Sequence, residues 1–203
     1  MIKKKMINKN IISTQKRMEG SNFDSRKNLI DFDSVLNEQM LNIYEERDNI
    51  MLKERDEEFI VRQIEEYIEL MSFDIDLKSN PEGLTKILDG FLKDSNIKWN
   101  ELSPSEVKDK LKEEIMRKYN EKRRGVEDTF DQLERYLFLE VLDTNWIAHV
   151  DALDNLKEGI HLRSYAQNQP VQEYKRESFE LYNEMIETIT KEFIVRLMKI
   201  KVQ

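Results

Sequence analysis

DALDNLKEGIHLRSYAQNQPVQEYKRESF, residues 151–179, holds a helix end, a polar loop and a helix start in that order. Upstream of it, Val141, Leu142, Trp146, His149, Val150, Leu153 and Leu156 recur three and four residues apart, as one face of a helix does. Gly159 interrupts that pattern. Pro170 opens the next one, at a position where a missing N–H costs least. Downstream, Tyr174, Leu181, Tyr182, Met185, Ile186, Ile189, Phe193, Leu197 and Met198 again recur at helical spacing. Two long helices joined by a loop at about 158–170 predict an antiparallel hairpin.

The loop is unusual for a plain turn. Ile160–Gln169 contains His161, Arg163, Tyr165, Gln167 and Gln169 and no acid, in a chain of net charge −8. One reading is a solvated connector, as most helix–helix loops are. The other is a tip that touches an extended polypeptide. Tyr offers a broad face and a hydroxyl, and Arg and Gln offer donors to backbone carbonyls.

Leu156–Pro170 followed by Glu173–Phe179 resembles the segment "GIHLRGYAQ…P…EYKRESF" of SecA, the bacterial preprotein translocase motor family, with Ser164 where that family usually has Gly. Leu142, Asp143, Trp146 and His149 are similar to its "LDSLWKEHL", with Ile147 and Ala148 replacing the Lys-Glu pair. Near the start, Gln15–Lys27 resembles "AQRKVEGNNFDIRK", and Phe32–Val35 stands where the family tends to have "YDDV". The middle, about 54–125, matches only loosely.

Composition independently suits long solvated helices. Of 203 residues, 39% are hydrophobic and 36% charged, which gives much surface per core residue, and five Gly and three Pro leave few breaks. With no Cys there is neither a disulfide nor a thiolate metal site. A pI near 5.1 argues against unassisted nucleic-acid binding. No apolar run is long enough to span a bilayer, and the basic start is not followed by the apolar run of a signal peptide. Residues 1–19 carry Lys3, Lys4, Lys5, Lys9, Lys16 and Arg17 against Glu19 alone. That arm reads either as an acidic-lipid contact or, more simply, as a terminus or a contact with a neighbouring domain.

In order, residues 6–19 predict a short helix that Gly20-Ser21-Asn22 weakens, with Asn22 or Asp24 capping the next one. Leu29, Phe32, Leu36, Met40, Ile43, Arg47 and Ile50 then form a stripe along a long helix at about 24–53. That stripe is expected to receive the helices carrying Trp146 and Phe193, with Phe32, Leu36, Met40 and Ile43 against the former. The charged run KERDEE at 53–58 suggests a boundary. Short helices follow around Phe59–Met71 and Leu84–Leu92, with a loop at Ser79–Gly83 between them. Another starts at Ser103-Pro104-Ser105-Glu106, with Ser103 as its cap. The expected architecture is therefore all-α. Residues 1–53 and 126–203 form a long-helix scaffold with a two-helix finger, and 54–125 an inserted, separately hinged subdomain that the resemblance identifies as the helical wing.

The chain holds no phosphate cradle of either glycine-rich type, so no nucleotide site is expected in it. Its two histidines, His149 and His161, give little material for a nucleophile–base pair or a metal site, and His149 reads as a half-buried packing residue. No catalytic residue and no metal are expected. The resemblance implies more than the residues do. It implies an ATP-driven motor that pushes unfolded preproteins through the Sec membrane channel, with ATP and Mg held in an upstream motor domain and this chain an excised segment of the whole. It implies a cytoplasmic protein, peripheral at the inner face of the cell membrane, that binds no nucleic acid. His161, Arg163, Tyr165 and Gln167 would touch the polypeptide, and Glu173, Lys175 and Arg176 would contact the motor domain. The rival reading is a structural helical scaffold or adaptor with no substrate, in which tip residues are freely exchangeable.

Overall fold

The computed structural model describes residues 2–52, 57–74, 102–163 and 170–200, with the side chains of 2–8, 57, 73, 74, 104 and 161–163 outside the described set. Among the described residues the chain forms five helices and no strand: α1 (Ile2–Leu52), α2 (Glu57–Asp74), α3 (Pro104–Arg123), α4 (Glu127–Arg163) and α5 (Pro170–Lys199). The all-α expectation holds. The loop at Ser79–Gly83, the helix at Leu84–Leu92 and Trp99 lie outside the described residues. Packing divides the chain into two units, one of residues 1–43 and 150–181, the other of residues 44–149 and 182–203.

In the first unit, α1 meets the end of α4 and the start of α5. Phe32, Ile160 and Tyr174 are buried together, with Val35, Leu156 and Val171 packed around them. The rings of Phe32 and Tyr174 meet edge to face at 4.7 Å. Ahead of Phe32, residues 9–30 are all exposed, Leu29 included, so the expected stripe is covered only from Phe32 onward. Among the described residues Phe32 is the first of α1 to be buried, against Ile160 near the end of α4 and Tyr174 near the start of α5.

Two expected breaks are absent. Gly20 lies inside α1, and neither Asn22 nor Asp24 starts a helix. A glycine inside a helix costs about 1 kcal/mol. Ending a helix there would instead expose up to four N–H and four C=O groups without partners. Gly159 likewise lies inside α4, which continues to Arg163. Its next residue, Ile160, is buried in the cluster with Phe32 and Tyr174. Burying such a side chain is worth about 1.5–3 kcal/mol, which outweighs the helical penalty of the glycine.

In the second unit, α2 and α3 run antiparallel: Lys108 reaches Glu69 at 2.7 Å, and Lys112, one turn on, reaches Glu65, one turn back. The cap expected at Ser103 forms, and it does so as a capping box. The Ser103 N–H donates to Glu106 at 2.7 Å while the Glu106 N–H points back at the Ser103 hydroxyl. The turn into α4 needs Gly125, whose φ of +84° a side chain would strain. Two links close that corner. Arg123 grips Asp131 through two guanidinium nitrogens, Nε and Nη2, at 2.8 and 3.0 Å, and the Tyr119 hydroxyl donates to the buried Glu134 carboxylate at 2.6 Å.

α4 and α5 pair antiparallel, as the hairpin predicts. Contacts step backward along α5 as they step forward along α4: Glu140 with Arg196, Asn145 with Glu192, His149 with Tyr182. At the centre of this unit Phe138 lies edge-on to Phe59 at 5.0 Å and to Phe193 at 5.2 Å. The first helix of the 54–125 stretch thus shares its core with both finger helices. Phe138 and Ile194, absent from the sequence stripes, are buried here.

These rings set a stability prediction. Phe193 has no exposed surface, so Phe193→Ala should cost about 3–5 kcal/mol in urea melts. Ile147, 64% exposed on α4, should change stability by less than about 0.5 kcal/mol when made Ala. Equal losses at the two positions would contradict this core.

Candidate functional site

The site of interest is the hairpin and its seat on α1. Within Glu173–Phe179 the helical period separates two roles. Tyr174 and Ser178, four residues apart, face inward and are buried, whereas Lys175, Arg176 and Phe179 face solvent. Phe32 receives Tyr174. Gln39, buried on α1, donates its side-chain N–H to the main-chain carbonyl of Ser178 at 3.2 Å. Burial pushes the Tyr174 hydroxyl above its ordinary pKa. On the α4 side, Lys157 donates to Asp33 at 3.0 Å, and its ammonium stands 5.8 Å from the centre of the Phe32 ring.

The outward face is a charged strip. Arg176 bonds Glu173 at 2.5 Å and Glu180 at 2.7 Å, one turn to either side. Those carboxylates, Glu173 first, hold the Arg176 guanidinium above its ordinary pKa. Phe179, 63% exposed, continues the strip. An exposed ring beside a paired guanidinium suits contact with another protein surface, because Arg and aromatic side chains supply most of the energy at interfaces. It offers no nucleophile and no convergent acid and base. Among the described residues no three His, Cys, Asp or Glu side chains could hold a metal ion, and no helix is long and apolar enough to cross a membrane.

Of the residues expected to touch a polypeptide, His161 and Arg163 fall in the last turn of α4 with their side chains outside the described residues. Tyr165 and Gln167 lie outside the described residues altogether. Glu173, Lys175 and Arg176 share one turn of α5.

The sequence model of the SecA wing and scaffold domain family matches residues 1–201. The chain belongs to the SecA wing and scaffold domain family. It is similar to a protein translocase subunit SecA of Stenotrophomonas maltophilia, 34% identical over 221 residues, covering 100% of this chain and 24% of that protein. A protein translocase subunit SecA of Thermodesulfovibrio yellowstonii is 35% identical over 209 residues, covering 100% of this chain and 23% of that protein. The chain therefore spans about a quarter of the length of the curated relatives it matches.

The SecA-like stretch around Trp146 has structural roles. Leu142 is buried, and Asp143 accepts from Arg47 of α1 at 3.1 and 3.2 Å. Trp146, expected to be buried in a core seam, is only half-buried and lies against the His149 ring at 5.7 Å. Ile147 and Ala148, where this chain departs from the family pattern, are both exposed, so the departure leaves the packing untouched. His149 is more enclosed than its sequence context suggests, at 4% exposure.

Burial lowers the His149 pKa from its usual 6.5. The unfolded chain then binds a proton more readily than the folded one, so stability present above about pH 6.5 is lost as the pH falls toward the folded-state value. Urea midpoints measured between pH 8 and 5 should fall more steeply for the wild type than for His149→Phe. Parallel curves would show that the imidazole titrates freely in the fold.

Proposed function

We propose that this chain is the scaffold, wing and finger part of an ATP-driven protein translocase, and that its hairpin tip contacts the polypeptide being moved. The supporting observation is the division of Glu173–Phe179 into an inward pair that seats α5 on α1 and an outward strip that is left for a partner. Tyr174 and Ser178 hold the hairpin. Lys175, Arg176 and Glu173 face the motor domain of the same protein, in residues beyond this chain. That motor domain binds ATP and Mg and lies upstream.

The uncovered length of α1 supports the same reading. Ile11, Ile12, Met18, Phe23, Leu29 and Ile30 are exposed there alongside Lys16 and Arg17. A long helix with this much free apolar surface suits docking by other domains of one large protein. A rigid helix can also pass a displacement along its length, since packed helices move as units. The whole protein would work in the cytoplasm, peripheral at the inner face of the cell membrane and against the Sec channel, with unfolded preproteins as substrates.

The test is made at Tyr165 in a full-length translocase carrying this segment. Tyr165→Phe should keep much of the transport, whereas Tyr165→Ala should lose most of it with an unchanged melting temperature. A photocrosslinking amino acid at position 165 should capture a stalled preprotein. Normal transport by Tyr165→Ala together with no crosslink would leave the hairpin tip a connector and the chain a structural scaffold.

A further inference from the structure

The apolar rows of α1 repeat every four residues, so beyond the Phe32–Tyr174 contact they offer α5 similar seats one turn apart. Phe32, Leu36 and Met40 step by four residues, so a slide of four places one apolar side chain where another was. The adjacent row is Val35, Gln39, Ile43, also stepping by four. Gln39 is the one polar side chain among these six. It is also buried and bonded, through its N–H, to the Ser178 carbonyl at 3.2 Å. Ser178 itself has no exposed surface, and its small side chain lets the amide approach the α5 backbone.

We propose that Gln39 is a positioning residue that sets the register of the finger helix α5 on the scaffold helix α1. Sliding α5 by four residues would put Val35 or Ile43 opposite Ser178 and set Gln39 against Tyr174 or Tyr182, whose rings would stand between the amide and the α5 carbonyls and leave it without a partner. Burying an amide without a partner costs about 1–3 kcal/mol, whereas an apolar side chain in the same row would lose nothing by the slide. A lone polar side chain in an apolar helical seam selects register in this way, generally at some expense of stability. The finger's height on α1 decides where its tip stands. Gln39 therefore contributes to the proposed transport without touching substrate, and that part of the inference rests on the functional reading above.

The absence of Cys allows a clean measurement. Nitroxide labels on N37C and Q172C, both at exposed positions of the first unit, report the setting of α5 on α1 by pulsed electron resonance. With Gln39 the distance distribution should have one population. Gln39→Leu should add a second, displaced by a four-residue slide of about 6 Å along the axis, with a melting temperature no lower than wild type. Moving the amide back by four residues, with V35Q and Q39L together, should shift the main population. In a full-length translocase, Q39L should lose most transport despite undiminished stability, an outcome that a purely packing role would not give. A single unchanged distance in Q39L would overturn the register role. If a translocase with the wild-type segment fails to transport, the functional reading fails, while the distances still decide the register.

Discussion

A helix of 51 residues with one narrow apolar stripe is held in place only where other helices cover that stripe. This constraint governs the chain. From Phe32 onward α1 is covered, and its buried residues Phe32, Gln39 and Ile43 lie on one face. Before Phe32 it is not covered, and residues 9–30 are exposed throughout. The same constraint shapes α4 and α5, which bury Val141, Leu142, Ile189, Phe193 and Leu197 while keeping Glu140, Glu192 and Arg196 toward water. With 36% of residues charged, only a thin line of contact remains for each helix, so each buried ring has a large share in stability.

Polar contacts add direction to these lines of contact. Most ion pairs here are exposed, as in Lys108–Glu69 and Arg176–Glu180, and contribute little individually. The more enclosed ones sit where two helices must hold a fixed setting. Arg123–Asp131 and Tyr119–Glu134 flank the Gly125 corner, and Gln39–Ser178 seats α5. A buried polar bond costs more to misplace than an apolar contact does, because its groups lose partners and not merely area. The corner and the seat therefore specify geometry to a degree that Ile, Leu and Phe contacts alone do not.

The long elements were legible in the sequence because their signal is periodic. The α4–α5 hairpin and the cap at Ser103 follow from spacing and local chemistry alone. Gly20 and Gly159 were misleading for a physical reason: a local rule gives each a fixed penalty, while tertiary contact or the expense of new helix ends decides whether the penalty matters. Trp146 was misleading in another way. It lies on the apolar face by period, but a large ring at the edge of a two-helix seam stays half in water. Gln39 and Ser178 carried a readable sign, a polar residue in an otherwise apolar row of i, i+4 steps. What hid them is that exposed polar residues interrupt helical stripes just as often, and only the partner helix distinguishes the two.

The SecA resemblance and the physical reading meet in Glu173–Phe179. A motif that matches a family over consecutive residues says that the segment matters, but not which residues matter for what. The helical period supplies that division. Tyr174 and Ser178 are buried, so substitutions there change packing first and function only through it. Lys175, Arg176 and Phe179 are exposed, and the fold gains little from Phe179, whose ring is left mostly in water. An exposed aromatic beside Arg176 gives this turn of α5 the composition of an interface and not of a core. The ion pairs from Arg176 to Glu173 and Glu180 keep that guanidinium extended along the helix surface. A partner arriving there would meet an already ordered side chain, and so would lose less rotamer entropy on binding than with a free one.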